Sequence, residues 1–448
     1  MKNKKYLSSA IGILLLMQVA FYNGYPLVTS DSGAYINHAF LWSVPLDRPV
    51  FYSMFIFFSS LHLSLWLTVF VQCAIFVALF RLLLSSIISK NEVFFEAYFL
   101  GCTFILAFFT GLSWCLCQIM PDIFTLIGVL CFAIILLQKE KTASKKNIFL
   151  IALFVFSECC HNSNLLTFLG LAVGTSLFCL FFYKNLYKKS LILIGFSLSA
   201  WFFVPTVHWV LGGGFTLNSR SNHFLFAKMV ENGLAKDFLY ENCSNNEYKM
   251  CAFKDQLPTD AMQFLWDENS PMMKTGGWDA NTQEYQNILK KIVTSPDYLW
   301  RFVKKSAVAT VKQLNKIHIG DGLNAHTENS NPFWKIQQHF GRELPLYTTA
   351  KQYQSKLEFS DITFRQLFFN SLCFILLLWL MYRVGLASFD KEDYFIFLIC
   401  ILAIILNAFA TGALANILAR LQGRIMILFP IVSLLMLIKY RKFLVEKA

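Results

Sequence analysis

Apolar and polar positions along the chain separate into blocks too long for a globular core. Apolar runs cover 7–24, 63–84, 94–112, 120–138, 148–160, 164–183, 190–211, 366–384, 394–411 and 424–440. Most have the length a helix needs to cross about 30 Å of hydrocarbon. The pattern predicts an all-α polytopic membrane protein with about ten transmembrane helices. An N-terminal membrane domain, 1–211, carries a first outer loop at 25–62. A mostly helical, loop-rich extracytoplasmic domain at 212–365 then separates spans seven and eight, and 366–448 supplies the closing membrane helices.

Three segments depart from simple alternation. The first run follows Lys2, Lys4 and Lys5, as in a signal peptide, but Tyr22-Asn23-Gly24-Tyr25-Pro26 offers no small-residue cleavage site. It therefore reads as an uncleaved first span. The fifth run is too short to cross alone, and Glu158-Cys159-Cys160-His161-Asn162 interrupts it. That predicts a broken or tilted hairpin opening toward the outer face, since irregular backbone at depth needs protein or a cavity around it. Within 31–58, an aromatic helix near 35–42 lies along the interface, and Pro45-Leu46-Asp47-Arg48-Pro49 makes a stiff turn. In the outer domain, 296–317 reads as an amphipathic helix, with Leu299, Phe302, Val303, Ala307, Thr310, Leu314 and Ile317 on one side. It suits either the outer leaflet surface or the core of the outer domain.

Composition agrees, at 56% hydrophobic and 15% charged residues with a mean hydropathy of +0.51. The net charge of +12 would suggest nucleic acid in a soluble chain, but its distribution excludes that reading. With a cytoplasmic start, the inner segments hold 18 Lys/Arg and 7 Asp/Glu. The short outer loops hold Arg48, Arg420 and Arg424 against Asp31, Asp47, Asp122 and Glu158. This is the positive-inside pattern, with both termini cytoplasmic and 212–365 outside. The implied location is a bacterial inner membrane. Cys243 and Cys251 share the polar stretch 241–251, where an oxidising compartment favours a disulfide.

Candidate chemistry concentrates at the outer boundary. Thr29-Ser30-Asp31-Ser32-Gly33-Ala34-Tyr35 directly follows the first span. Asp31 suits a general base for an acceptor hydroxyl, and suits equally an N-cap for a helix starting near Gly33. Arg420-Leu421-Gln422-Gly423-Arg424 opens the last span, with its two arginines one helical turn apart. They fit bidentate phosphate binding or interfacial snorkelling. Asp122 and His161 belong near the outer ends of spans three to six, with Gln118 and Glu158, as site lining; Asp122 after Pro121 also suits a helix start. Cys115-x-Cys117 and Cys159-Cys160-His161 lack finger spacing, so no metal site is expected. There is no phosphate-cradling glycine loop, nucleophile elbow or dinucleotide fingerprint, and no cofactor is implied.

A first span running outward, an acid just beyond it, interfacial helices in that loop and an outer domain among many spans together resemble the GT-C superfamily of membrane glycosyltransferases. The Asp47-Arg48-Pro49 element, followed by aromatic residues, is similar to many bacterial members. The resemblance implies a polyprenyl-phosphate-linked sugar as donor and an envelope glycan, lipid or protein as acceptor, arranged around Asp31. On the reading of the residues themselves, Arg424 and Arg420 would hold the donor phosphate, Asp47 and Arg48 would shape the loop, and Tyr35, Asp122 and His161 complete the expected substrate-binding set. Many members carry a second acid two residues after the first; Gly33 stands there in this chain. An O-antigen-type glycan ligase and a lipid or glycan flippase are the alternatives. The ligase would place its key Arg and His in the large outer loop, and the flippase usually carries internal repeats, which this sequence lacks.

Overall fold

The computed structural model describes residues 2–88, 93–138, 144–243, 248–385 and 388–446. Residues 89–92, 139–143, 244–247 and 386–387 lie outside the described residues, among them parts of the expected inner loops and of the polar stretch 241–251. Among the described residues the chain is helical, and its one β-type pairing is an isolated parallel bridge between Leu27 and Gln118.

Six described helices are long and apolar enough to cross a membrane: Leu65–Ile87, Asn162–Phe182, Lys184–Val210, Ser360–Val384, Lys391–Gly412 and Ala419–Arg441. Two of them bury little within the chain, 33% of the best window of Lys184–Val210 and 22% of that of Ser360–Val384. Helices this apolar with so little protein cover need a hydrocarbon solvent on their outer faces. The chain is therefore an integral membrane protein. Shorter apolar helices span Phe95–Phe109 and Ile123–Leu137.

The first apolar run forms Lys2–Leu16 and Gln18–Asn23, joined at Met17 and ended by Gly24 in the left-handed region (φ 88°), where glycine carries no Cβ penalty. The loop beyond contains helices Ser32–Leu41 and Phe51–Ser60 with the proline-bounded turn between them. The interrupted fifth run becomes helix Lys145–Cys159, which stops at Cys160; His161 then caps Asn162–Phe182.

The segment 212–365 has two kinds of packing. Residues around Phe226, Phe238, Phe264, Tyr285 and Ile288 bury one another in a core of their own. Cys243 and Cys251 are disulfide-bonded at its edge. By contrast, Leu323, Phe333, Ile336, Phe340 and Tyr347 belong to the core of the membrane helices. The second part of the segment is thus bound to the bundle.

Helix Pro296–Leu314 differs from the expected face. Its buried residues are Ser306, Ala309 and Gln313, while Leu299, Trp300, Val303, Val308 and Val311 are exposed. The reason is close backbone approach. A Cβ on Gly412 would stand 2.6 Å from the Gln313 Cβ and 2.9 Å from the Ala309 carbonyl. Gln313 then brackets Leu418, donating to its carbonyl (2.8 Å) and accepting from its N–H (3.1 Å). Ala309 and Gln313, rather than the apolar stripe, meet Gly412 of the membrane helix.

Candidate functional site

The segment after the first helix is pinned by backbone pairing. Leu27 donates to the Cys117 carbonyl and accepts from the Ile119 N–H, both at 2.9 Å. The Ser32 hydroxyl accepts from the Thr29 N–H and donates to the Ile119 carbonyl. These bonds fix the backbone on either side of Asp31.

Asp31 precedes helix Ser32–Leu41, yet its carboxylate makes no capping hydrogen bond. It is held instead by two guanidiniums: Arg48 Nη2 at 3.1 Å from Oδ1 and Arg420 Nη2 at 2.8 Å from Oδ2. Burial raises the Asp31 carboxyl, but Arg48 and Arg420 outweigh it and hold the group well below the usual carboxylate range. About a quarter of the side chain (27%) remains exposed.

Arg48 also reaches Asp47, through Nε at 3.0 Å to each oxygen and Nη2 at 2.5 Å. Its guanidinium lies 5.0 Å from the Tyr35 ring centre, a cation–π distance. The side chain of Arg420 donates to Thr29 Oγ1 (3.3 Å), and its backbone N–H donates to Asp321 Oδ2 (3.2 Å).

Arg424 sits one turn further along and is fully buried. Its Nη1 donates to Asp122 Oδ1 at 3.2 Å, and its Nη2 to Ser163 Oγ (2.8 Å) and Asn407 Oδ1 (3.0 Å). His161 Nδ1 lies 2.8 Å from Ser163 Oγ and caps its helix by accepting from the Ser163 N–H. One polar network therefore draws on the first loop, the start of Ile123–Leu137, the break at 160–161, the end of Lys391–Gly412 and the start of Ala419–Met426. Three buried atoms in it have no hydrogen-bond partner in the structure: Asp122 Oδ2, Arg420 Nε and Arg424 Nε. Buried polar groups are ordinarily paired, so this cluster retains unused bonding capacity.

Asp31, Asp47, Arg48, Tyr35, Arg420, Arg424, Asp122 and His161 are all brought together. Glu158 is not, since its Oε1 accepts from Ser197 (2.5 Å) and its Oε2 has no partner in the structure. The Gln118 carbonyl accepts from Gln72 (3.1 Å), outside that network. Both Nη atoms of Arg424 are committed to buried partners.

Asp321, Asn407 and Ser163 join the cluster without having been expected there from the sequence. Asn407 had the clearest signal, as an amide inside the otherwise apolar run Ile404–Ala410 of a span, where a polar side chain needs a specific partner. It also donates to the Leu421 carbonyl at 2.8 Å.

The cluster is covered by helix Asn331–Phe340, which packs on Ser32–Leu41. Gly33 permits this contact. A Cβ there would lie 2.7 Å from the Asn331 carbonyl carbon and 2.8 Å from its oxygen. No acidic side chain fits at that position. Among the described residues, no group of three His, Cys, Asp or Glu is placed to hold a metal ion.

No protein-family model, curated protein or solved structure matches this chain.

Proposed function

We propose that this protein is a membrane glycosyltransferase of the GT-C type. In this reading it transfers a sugar from a polyprenyl-phosphate-linked donor to an envelope glycan, lipid or protein acceptor at the outer membrane face. The observation that carries the reading is Asp31, a partly exposed carboxylate held between Arg48 and Arg420 rather than spent on its helix. The assigned topology is about ten spans with both termini cytoplasmic and 212–365 outside, the arrangement that the distribution of Lys and Arg favours.

The chemistry asks for a base and a cation on either side of one sugar carbon. Asp31 accepts the proton of the acceptor hydroxyl as its oxygen bonds to the anomeric carbon. The bond from that carbon to the donor phosphate breaks, and its electron pair leaves on the phosphate oxygen. Arg420 and Arg48 offset that charge, being permanent cations with paired donors. Arg424, buried against Asp122, positions the last helix and with it Arg420.

The deciding experiment is mass spectrometry of polyprenyl-linked sugars and envelope glycans from cells with and without this gene, complemented by wild type or Asp31→Asn. Loss of one glycan product together with build-up of its lipid-linked donor, restored by wild type alone, is expected. Identical profiles in all strains would overturn the assignment. A flippase would instead leave the Asp31→Asn strain restored.

A further inference from the structure

At the opposite end of the helices that carry the Asp31 cluster lies a second polar site. Asp122 and His161 begin Ile123–Leu137 and Asn162–Phe182, and the far ends of those helices reach Leu137 and Phe182. Helices of this length put the two ends roughly 20–30 Å apart at 1.5 Å per residue. There a cavity of about 630 Å³ opens between Leu137, Gln138, Phe182, Tyr183, Lys184, Leu186, Lys189, Lys391 and neighbouring residues.

Its charge and its unused hydrogen bonds point the same way. Lys184, Lys189 and Lys391 line it, against Asp390 and Glu392. Asp390 is already paired with Lys439 (2.8 Å), which also holds Asp393 (2.6 Å), so the lining lysines are not spent on it. Lys189 donates to the Gln138 carbonyl, and Lys391 stands 5.4 Å from the Tyr183 ring centre. Both amide atoms of Gln138 and the Tyr183 hydroxyl are buried with no hydrogen-bond partner in the structure. An anion would accept from the Gln138 amide, the tyrosine hydroxyl and the lysines together. The remaining wall is apolar, formed by Leu137, Phe182, Leu186 and Phe395, with Phe182 two-thirds exposed.

We propose that this cavity binds the phosphate headgroup of an anionic phospholipid. Lysines over a phosphate beside an apolar wall match a headgroup with its acyl chains attached, whereas free phosphate would use only the first half of that surface. Basic clefts between membrane helices at this boundary hold such headgroups. Placing the lipid in the inner leaflet rests on the proposed orientation, but binding itself does not.

The test uses delipidated full-length protein in detergent, with native mass spectrometry and thermal unfolding as readouts. Phosphatidylglycerol, phosphatidylcholine and inorganic phosphate are added separately. Wild type is expected to retain phosphatidylglycerol over phosphatidylcholine by about tenfold or more, two lysine contacts of this kind each contributing several-fold. Lys184→Gln/Lys391→Gln should abolish the preference. Tyr183→Phe keeps the ring and removes the hydroxyl, so it should weaken retention several-fold at an unchanged melting temperature of the lipid-free protein. It decides the matter if the double variant fails to fold. Equal retention of the two lipids, or a preference unchanged in the variants, would overturn the proposal. So would inorganic phosphate giving the same thermal shift as the lipid, which would mark a free-anion site. None of these readouts uses sugar transfer, so failure of the glycosyltransferase reading leaves this result standing.

Discussion

A carboxylate bonded to two guanidiniums is a poor base, and this sets the terms on which Asp31 can act. While Arg48 and Arg420 hold it, it stays ionised far into the acid range. The direction matters for pH dependence. Its pKa is lowered in the folded chain, so the ionised form is lost only as pH falls well below the usual carboxylate value of about 4. In the proposed reaction, arrival of a phosphate-bearing donor offers both arginines a second anion. Once they turn to it, burial is the influence left on Asp31, and its basicity rises. The expected outcome is an acid limb in kcat at distinctly higher pH than the limb in kcat/KM, since the first reports the bound and the second the free enzyme. Coincident limbs would sink this exchange of partners. Asp31→Asn should reduce turnover on the order of 10²-fold or more while donor binding stays nearly intact. Were Asp31 only a cap, the same change would be close to silent, as asparagine caps about as well.

The neighbouring arginines separate by readout. Arg420→Lys keeps the charge but loses the fork, so donor KM should rise with little change in melting temperature. Arg424→Met leaves Asp122 buried without its cation, a loss of about 3–5 kcal/mol by the precedent of broken buried pairs. Thermal unfolding in detergent is expected to show that loss before any kinetic effect is resolved. Residue types at the boundary were legible in the sequence, because charges beside apolar runs are conspicuous. Their partners were not. Nothing in the spacing of Arg420 and Arg424 says that one meets the solvent-accessible Asp31 and the other the buried Asp122.

At the scale of elements, two glycines decide how helices meet. Gly33 lets Asn331–Phe340 close over the Asp31 loop, and Gly412 lets Pro296–Leu314 rest its backbone on a membrane helix. The sequence showed the helices themselves through their apolar periodicity. It hid the contact face of 296–314, because periodicity marks apolar residues while the contact is made by Ser306, Ala309 and Gln313. The break after Cys159 was legible for the opposite reason, since the polar run Glu158 to Asn162 had no place inside a continuous span. Gly33→Ala should cost about 1–3 kcal/mol through overpacking against the Asn331 backbone. Hydrogen exchange is the suitable measurement, with faster exchange expected in Asn331–Phe340 and little change in the disulfide-bonded core around Phe226 and Tyr285. Uniform behaviour across both regions would mean that the cover is not a separately mounted element.

At the scale of the whole molecule, the two packings of 212–365 and the charge asymmetry constrain one another. The core around Phe226, Phe264 and Tyr285 carries a disulfide, which persists in an oxidising compartment. The stretch holding Lys184 and Lys189, and that holding Lys391, flank spans whose other ends carry the Asp31 network. If the positive ends face the cytoplasm, the disulfide-bonded core and the Asp31 network must both lie outside, with the donor's sugar. Each observation could fail alone, so agreement between them is a strict condition. Reporter fusions after residue 188, near 390 and at the C-terminus are expected to read inside, and one near 280 outside. Mass mapping without reductant should find Cys243 joined to Cys251 in protein taken from the membrane. An inside result near 280 would put the Asp31 network on the wrong face for an outer-face donor. The glycosyltransferase reading would then fall whatever the kinetics of Asp31→Asn, because a base on one side of a bilayer cannot serve a sugar presented on the other.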